Sequence, residues 1–272
     1  MSYKVYLLGS LSSIEWSQAV WRMEGRTVPV HACTQELLHE VLLCHLPKHA
    51  VIVDAGCGTG KWLIHLQRLG YRTIGIEMSH EASVIAKENQ GDACILEADV
   101  TDVPLRPQSV DAVLSLGVVE HNEDGPLEAL REAHRILKPN GLLVLVVPYN
   151  NLLRRLVTNR LLTYVNWRRR RAHAALRFAE YRFNAGEMRR FLEDAGFDTV
   201  AIYPNDLLPP KNMGIWVDYH NLIFDPFSPR RVELFVLPRM AGKLAAWAMR
   251  WCPWVVCGEI TFVTRVTKAG TK

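Results

Sequence analysis

The 272-residue sequence has no apolar run long enough to cross a membrane. A spanning helix needs about 18 or more largely uncharged apolar residues. The longest candidate, Gly141–Leu153, is better explained as a strand with its following loop. The amino terminus also lacks the basic region and apolar block of a secretory signal. We therefore expect a cytoplasmic protein.

Cysteine is sparse and shows no metal-binding spacing. The six cysteines form no C-x-x-C pair, and Cys57 lies inside a glycine-rich stretch. This usage favours reduced thiols over disulfides or zinc. Hydrophobic residues make up 49% of the chain, which is ample for a core. The length suits one large domain, or one domain with a substantial addition.

One basic segment lacks lysine and is nearly free of acids. Between Arg154 and Arg190 the chain has eleven arginines and two glutamates, a net charge of +9, whereas the remainder carries −5. Such a charge asymmetry indicates what the protein binds rather than how it folds. Three interpretations of the stretch Arg154–Arg171 stay open: a solvated helix face, contact with an anionic membrane surface, and contact with an acidic substrate or nucleic acid. Tryptophans at 247, 251 and 254 would add an apolar patch to the membrane interpretation.

An apolar β-branched run that breaks into alternating glycines is the strongest feature. Val51–Asp54 predicts a strand buried on both faces, followed by glycines at 56, 58 and 60 and a helix over Lys61–Leu69. Glycines let the backbone turn sharply and approach a ligand closely. The helix N-terminus presents unpaired N–H groups to that ligand. Thr73–Ile76 then leads into Glu77, about 20 residues on, where a carboxylate can accept both hydroxyls of a ribose. The pattern predicts a nucleotide-cofactor site.

Strand and helix signals alternate along the chain, which predicts a parallel sheet covered on both faces. The predicted strands are Val51–Asp54, Thr73–Glu77, Ala93–Glu97, Val110–Leu116, Leu142–Val147, Thr199–Tyr203 and Glu259–Val266. Thr34, Ser79 and Asp124 (the last with Pro126) are predicted to open helices, as is Asn184 or Ala185. Further helices are predicted over Leu152–Arg171 and around Met240–Trp251.

These motifs resemble those of the class I S-adenosylmethionine-dependent methyltransferases that act on small molecules. Asp54–Gly60 resembles their first motif, and Glu77 falls where their ribose acid lies. Ala98–Val100, Val110–Val113 and Leu137–Leu142 resemble their adenine-side segment, their fourth strand and the turn into their fifth. The resemblance implies an α/β fold with a Rossmann-like, doubly wound sheet and helices on both faces. The sheet would be mostly parallel, with an antiparallel last strand between the fifth and the sixth.

The same resemblance implies a division of the chain. Residues 1–50 would be an N-terminal helical cap, 51–150 the cofactor-binding core, and 151–272 the remainder of the same domain with a basic helical insertion, a substrate lid and the last strands. Arg22 or Arg26 would meet the methionine carboxylate of the cofactor, unless each is only a surface charge.

S-adenosyl-L-methionine is the cofactor that the resemblance implies. The carbonyl of Ala55 or Gly56 and the backbone at Ser115 and Leu116 would lie near its amino group. Met78 and Val100 would sandwich the adenine, or only pack in the core. Asp99 would accept from the adenine amino group, or only cap a turn. The complete predicted set is Asp54, Ala55, Gly56, Cys57, Gly58, Gly60, Glu77, Met78, Asp99, Val100 and Leu116.

His121 is the predicted general base because histidine is the side chain best suited to exchange a proton at neutral pH, and because it follows the fourth strand. It would alternatively pack over the cofactor or hold its loop by a hydrogen bond. A metal at Glu120, His121 and Asp124 is not predicted, since adjacent residues rarely converge on one ion. Tyr149, Asn150 and Tyr181 are predicted to line the acceptor pocket, with loop hydrogen bonding as the alternative; Asp206 and Tyr219 are weaker candidates.

We therefore expect a methyltransferase that acts on a small, hydrophobic acceptor by in-line displacement at O, N or C. An RNA or protein acceptor is an alternative, although base-amine methyltransferases resemble one another in an Asp/Asn-Pro-Pro-aromatic run, and Leu116–Val119 stands in its place. A catalytically silent scaffold that binds the cofactor is a further alternative. A nicotinamide dehydrogenase would carry G-x-G-x-x-G rather than this loop.

Overall fold

The computed structural model describes residues 2–8, 30–90, 94–206, 214–218, 236–237 and 239–267, which form a seven-stranded and a two-stranded sheet. The strands are β1 Tyr3–Leu8, β2 Val51–Ala55, β3 Arg72–Glu77, β4 Cys94–Glu97, β5 Val110–Leu116, β6 Leu137–Pro148, β7 Leu176–Arg182, β8 Phe197–Asn205 and β9 Glu259–Val266. The α-helices are α1 Leu37–His45, α2 Lys61–Arg68, α3 His80–Gln90, α4 Leu127–Ile136, α5 Asn159–Arg171, α6 Ala185–Asp194, α7 Arg239–Trp251 and α8 Pro253–Val256. Val30–Gln35 is a 3-10 helix, and Arg154–Thr158 is a π-helical segment before α5.

The large sheet has the strand order β4-β3-β2-β5-β6-β9-β8. Its first five strands are parallel, and β9 runs antiparallel to both neighbours, β6 and β8. The predicted fold, with an antiparallel last strand between the fifth and the sixth, is therefore confirmed.

Consecutive residues of the central strands are buried on opposite faces, which explains their uninterrupted apolar runs. On β2, Val53 packs in the cluster that contains Leu130 of α4, whereas Ile52 packs in the cluster that contains Leu66 of α2. Helices thus cover both faces. Because β2, β3, β5 and β6 are parallel, their carboxyl ends meet at one edge, and the loops that follow them converge there.

Two of the predicted helix caps are wrong. Thr34 lies in the 3-10 helix, where its hydroxyl donates to the carbonyl of His31 over 3.0 Å, and α1 follows Glu36 without a side-chain cap. α4 begins directly after Pro126, so Asp124 does not cap it. In both places a nearby residue takes the N-cap position instead.

Two other predicted caps are confirmed. The Ser79 hydroxyl accepts from the amide of Ala82 over 3.3 Å, and the Asn184 side chain accepts from the amide of Glu187 over 2.9 Å. The strands β6 and β8 are longer than predicted because their outer residues also pair with neighbouring strands. Ala93, predicted as the start of β4, lies outside the described residues.

The two-stranded sheet is a feature that the sequence analysis did not predict. β1 pairs antiparallel with β7, with Tyr3 opposite Arg182. Val5 and Leu7 of β1 pack with Leu162 of α5. The leading segment is therefore not entirely helical: residues 3–8 are a strand, and the helices described before β2 lie within 30–45. Arg22, Arg26 and Tyr219, for which ligand contacts were predicted, lie outside the described residues.

No helix in the described ranges combines the length and apolar character needed to cross a bilayer. All six cysteines are described, and each is a free thiol.

Candidate functional site

The glycine-rich loop leaves β2 at the carboxyl edge of the sheet and leads into α2. Gly56, Gly58 and Gly60 have positive φ angles of 79°, 54° and 84°. A Cβ atom on Gly56 would lie 2.5 Å from a methyl group of Val118, so a side chain there would clash as well as strain the backbone. The amides of Gly56 and Cys57 both donate to the carbonyl of Ile76 on β3, over 2.7 and 3.0 Å. The loop is thus held against β3 in a conformation that requires glycine.

The Glu77 carboxylate fastens the same loop from the end of β3. One oxygen accepts from the amide of Gly58 over 2.9 Å, and the other from the amide of Ser79 over 2.8 Å. Burial raises the pKa of Glu77, and these backbone hydrogen bonds oppose that rise. A carboxylate oxygen accepts more than one hydrogen bond, so each still has acceptor capacity for a ligand. Glu77 therefore has a structural role in addition to the predicted contact with ribose.

Asp54 is buried at the end of β2, with 3% of its surface exposed. Burial and the neighbouring charge of Glu77 raise its pKa to about 7. Its carboxyl makes no hydrogen bond with any residue that the structure describes. Buried carboxylates are normally paired with donors or cations. A positively charged donor beside Asp54 would satisfy this carboxyl.

The residues predicted on the adenine side lie near this loop. Val100 lines a small apolar cavity together with Ala55 at the end of β2. Met78 follows β3 with 53% of its surface exposed. One oxygen of Asp99 accepts from both the amide and the hydroxyl of Thr101, each over 2.8 Å, so Asp99 does cap a turn. Its contact with adenine stays a prediction.

Part of the leading segment packs beside the start of α2. The ammonium of Lys61 lies 2.6 Å from a carboxylate oxygen of Glu36. The Cys33 thiol lies 3.9 Å from the carbonyl of Lys61. Residues 33–36 therefore contact the helix that follows the glycine-rich loop, next to the predicted cofactor site.

His121 and Glu120 follow β5 at the same edge. The His121 Nδ1 atom lies 2.8 Å from the carbonyl oxygen of Ala179 on β7. A carbonyl only accepts, so Nδ1 carries the proton and Nε2 the lone pair in the neutral ring. The loop-holding alternative for His121 is therefore realised, in a tautomer that also suits a base.

The Glu120 carboxyl is buried beside that imidazole. Its Oε1 atom lies 4.0 Å from His121 Nε2, and its Oε2 atom has no hydrogen-bond partner among the described residues. Burial, with the charge of Glu180, raises the pKa of Glu120 well above its usual range. Among the described residues, no three His, Cys, Asp or Glu side chains form a metal-binding group.

Two of the predicted acceptor residues lie on elements that border this edge. Tyr149 follows β6, and its ring makes an edge contact with Trp254 at 5.9 Å between centroids. Tyr181 on β7 donates through its hydroxyl to the carbonyl of Glu123 over 2.8 Å. β7 thereby holds the loop after β5 at two points, Ala179 and Tyr181.

The third predicted acceptor residue, Asn150, is buried with 6% of its surface exposed. Its side-chain oxygen accepts from the side-chain amide of Asn159 over 2.9 Å. This arrangement fits the alternative, loop hydrogen bonding, and the contact of Asn150 with an acceptor stays a prediction.

Arg154 begins the basic segment but is buried in a charge cluster. Its Nε atom lies 3.1 Å from Asp218, and its guanidinium also donates to the carbonyls of Tyr149 and Gly258 over 2.8 and 2.7 Å. Arg182 on β7 lies 2.7 Å from the other Asp218 oxygen. Burial raises the pKa of Asp218, but the two guanidiniums outweigh it and keep the pKa below its usual value. Arg154 is therefore not part of an exposed basic face, whichever of the three interpretations applies to the rest of Arg154–Arg171.

Sequence reasoning missed the roles of β1, β7 and Glu120. A signal for β1 was present, because the short run Tyr3–Leu8 contains a valine and two tyrosines, residue types that are enriched in strands. Nothing in the local sequence indicates that Ala179 would contact His121, since 58 residues separate them.

Comparison with known proteins gives a consistent family assignment for the centre of the chain. Residues 53–145 match the family model described as a methyltransferase domain. A tRNA (carboxymethyluridine(34)-5-O)-methyltransferase of Arabidopsis thaliana is 34% identical over 38% of this chain and 25% of its own length. A malonyl-[acyl-carrier protein] O-methyltransferase of Erwinia pyrifoliae is 34% identical over 45% of this chain and 47% of its own length. The chain spans less than half the length of these two relatives.

Solved structures extend the likeness of the fold to most of the chain. The 1,6-didemethyltoxoflavin-N1-methyltransferase of Burkholderia thailandensis, solved with its substrate and S-adenosylhomocysteine, superposes with a TM-score of 0.52 at 18% identity. The match covers 94% of this chain and 84% of that one. At this identity the likeness establishes the fold alone.

Proposed function

We propose that this chain, whose residues 53–145 form a class I S-adenosylmethionine-dependent methyltransferase domain, is an enzyme that methylates a small, hydrophobic acceptor. The observation that carries the proposal is Asp54, a buried carboxyl with no described donor, at the start of a glycine loop that Glu77 holds in place. A cofactor with an amino group, a ribose and an adenine meets the requirements of that arrangement.

The residues present fit this cofactor. A Cβ atom at Gly56 would clash with Val118, so this position of the loop has to be glycine. The backbone there is free of side-chain atoms. Asp54 would pair with the amino group, aided by the carbonyl of Ala55 or Gly56 and the backbone at Ser115 and Leu116. Glu77 would hold the ribose hydroxyls through its remaining acceptor capacity. Met78, Asp99 and Val100 would hold the adenine.

S-adenosylmethionine supplies a methyl group on a sulfonium, which is already a strong electrophile. The protein therefore has to position the acceptor in line, exclude water and remove a proton where the acceptor carries one. His121 is the residue that we assign to that proton. Its Nδ1–H bond to Ala179 fixes the tautomer, so Nε2 is the atom that accepts the proton.

Glu120 supports this role of His121. An imidazole that accepts a proton becomes cationic, and Glu120 Oε1 lies 4.0 Å from Nε2. Once the ring is cationic, ionisation of Glu120 would stabilise it.

A hydrophobic acceptor is supported by the aromatic side chains at the edge of the sheet. Tyr149 and Trp254 make an edge contact, and Tyr181 stacks on Phe183 with centroids 5.4 Å apart. Ligand sites for small molecules are usually lined by such apolar surface with a few polar groups. Both tyrosines are half-buried, which leaves surface for an acceptor.

An RNA acceptor is the second candidate, and one surface favours it. On α5 the rings of Tyr164 and Trp167 stack at 5.9 Å, and the guanidinium of Arg171 lies 4.3 Å from the centroid of Trp167. Exposed aromatics beside arginine bind unpaired bases and phosphates. The Arabidopsis thaliana relative named above is a tRNA methyltransferase.

The test of the cofactor site is calorimetry with S-adenosylhomocysteine, a product-like probe that cannot react. Gly58→Arg is expected to abolish binding, because a φ of 54° strains any side chain and the arginine would occupy the loop that the cofactor is proposed to contact. Gly186→Arg, at an exposed position on α6, is the matched control and should bind normally. Equal affinity in both variants, with both folded, would overturn the site.

The test of the acceptor is a cofactor-consumption screen over small hydrophobic hydroxyl, amine and activated-carbon compounds and over unmodified tRNA. Mass spectrometry of the product identifies the methylated atom. Turnover of tRNA alone would replace the first candidate with the second. Binding of the cofactor without turnover of any class would favour a silent scaffold.

A further inference from the structure

An exposed apolar stripe on α7 is a feature of the described surface that the proposed function does not use. We define the apolar stripe as Met240, Leu244, Trp247 and Trp251, whose exposed fractions are 74%, 65%, 64% and 66%. Monomeric soluble proteins rarely expose contiguous apolar surface of this size without a binding role. Within the described residues, nothing covers these four side chains.

The stripe has the geometry of a helix that lies in a membrane interface. At about 100° per residue, its four positions fall within about 60° of the helix circumference. The buried positions Gly242 and Ala245 lie roughly opposite. Arg239, Lys243 and Arg250 fall within about 40° of one another along one flank of the stripe. An apolar face with tryptophan, bordered by cations, is typical of helices that bind anionic bilayers.

We propose that the apolar stripe and its cationic flank dock this protein on the surface of an anionic phospholipid bilayer. The charges decide between a bilayer and a second copy of the chain. Residues 237–258 carry three cations and no acid. A two-fold interface through this face would bring like charges together, since it pairs the same patch with itself. Anionic headgroups complement the cations instead.

The surface continues to the acceptor side of the site. Trp254 and Val255 on α8 are exposed by 41% and 37%, and the Trp254 ring touches Tyr149 after β6. The start of the basic segment joins the same region, because the Asn151 side chain donates to the carbonyl of Cys257 over 2.8 Å. A bilayer under the stripe would therefore lie close to the acceptor. This last step rests on the proposed function, whereas the docking surface does not.

Vesicle flotation with the full chain tests the surface, using phosphatidylcholine vesicles with and without about 30% phosphatidylglycerol. We expect binding to the anionic vesicles that Lys243→Gln/Arg250→Gln weakens by about fivefold per charge removed. The matched control is Arg189→Gln/Arg190→Gln, which removes the same charge from exposed positions on α6. Equal losses in the two variants, or no preference of the wild type for anionic vesicles, would overturn the proposal.

The apolar part is tested by Trp247→Ser/Trp251→Ser, which we expect to lower vesicle binding by at least about tenfold. Leu43→Ser/Leu69→Ser, at two positions each exposed by 44%, is the control and should bind normally. If sedimentation velocity without vesicles shows a dimer that the tryptophan variant dissociates, the occupant is a second copy and the bilayer proposal fails. Affinity for S-adenosylhomocysteine, measured on the same samples, should not change, so failure of the docking surface and failure of the cofactor site are distinguishable.

Discussion

Asp54→Asn should have opposite effects on two quantities. It removes a buried charge that lowers the free energy of unfolding, and it removes the carboxylate that is proposed to bind the amino group of the cofactor. In an unfolded chain an aspartate has a pKa of about 3.9, whereas burial and Glu77 place that of folded Asp54 at about 7. A carboxyl with a raised folded pKa contributes stability that is fully present below about pH 4 and is lost as the pH rises to about 7. The difference of about three pH units corresponds to roughly 4 kcal/mol, of which part is recovered by local relaxation.

We expect Asp54→Asn to be more stable than the wild type but to bind the cofactor more weakly. Urea unfolding of the cofactor-free protein should find Asp54→Asn more stable than the wild type at pH 8, by up to a few kcal/mol, and nearly equal at pH 4. Its affinity for S-adenosylhomocysteine should be much lower, because an amide provides no counter-charge for the amino group of the ligand.

The pH dependence of binding supplies the sharper assay. Between pH 7.5 and 5.5, wild-type affinity for S-adenosylhomocysteine should fall, approaching tenfold per pH unit below about 7, as Asp54 takes up a proton. Asp54→Asn should show little of this slope, which isolates Asp54 from the histidines that titrate in the same range. An identical slope in the two proteins would refute the assignment of Asp54 to the amino group, as would a flat wild-type profile.

Other perturbations give independent outcomes. Gly56→Ala should lose cofactor binding, since its Cβ would meet Val118 at 2.5 Å, whereas Gly70→Ala, also at positive φ but with open space around it, should only lower the melting temperature slightly. His121→Asn should lower kcat about 10²-fold or more, with little change in cofactor affinity by calorimetry, if the acceptor loses a proton; an unchanged kcat would remove His121 as the base. Asp218→Asn should destabilise the fold by about 3–5 kcal/mol in urea unfolding at pH 7, because it leaves two buried guanidiniums short of a counter-charge. Asp218 has a lowered pKa, so the wild type should lose this contribution as the pH falls below about 4, and an unchanged pH profile in the variant would contradict this role.

The predicted elements that proved correct share a local physical signal. β2 and β5 are continuous apolar runs because both of their faces are buried, and the glycine loop is recognisable because three positive φ angles select the same residue type. Glu77 was identified through its distance in sequence from that loop. Its hydrogen bond to the Gly58 amide was not, since an acid at the end of a strand has the same pattern whether it binds a ligand or a backbone N–H.

The incorrect predictions arose where several signals of similar strength lie close together. Thr34 and Asp124 are good N-cap residues, but the helices begin after Glu36 and Pro126. The charge count of the basic segment could not distinguish Arg154, which is buried with Asp218, from Arg171, which is exposed beside Trp167. The number of arginines in a segment does not show which of their side chains are buried.

The sequence by itself determined the strand order of the large sheet with the helices between its strands, the glycine-rich loop and the acid Glu77, because these depend on residue types a few positions apart. Only the tertiary structure decided which distant groups meet. The pairing of β1 with β7 brings Ala179 to His121 and Tyr181 to the loop after β5, and the burial of Glu120 follows from that packing. Contacts between residues dozens of positions apart depend on how the whole chain closes around its core, and burial in turn sets the pKa values on which the chemistry depends.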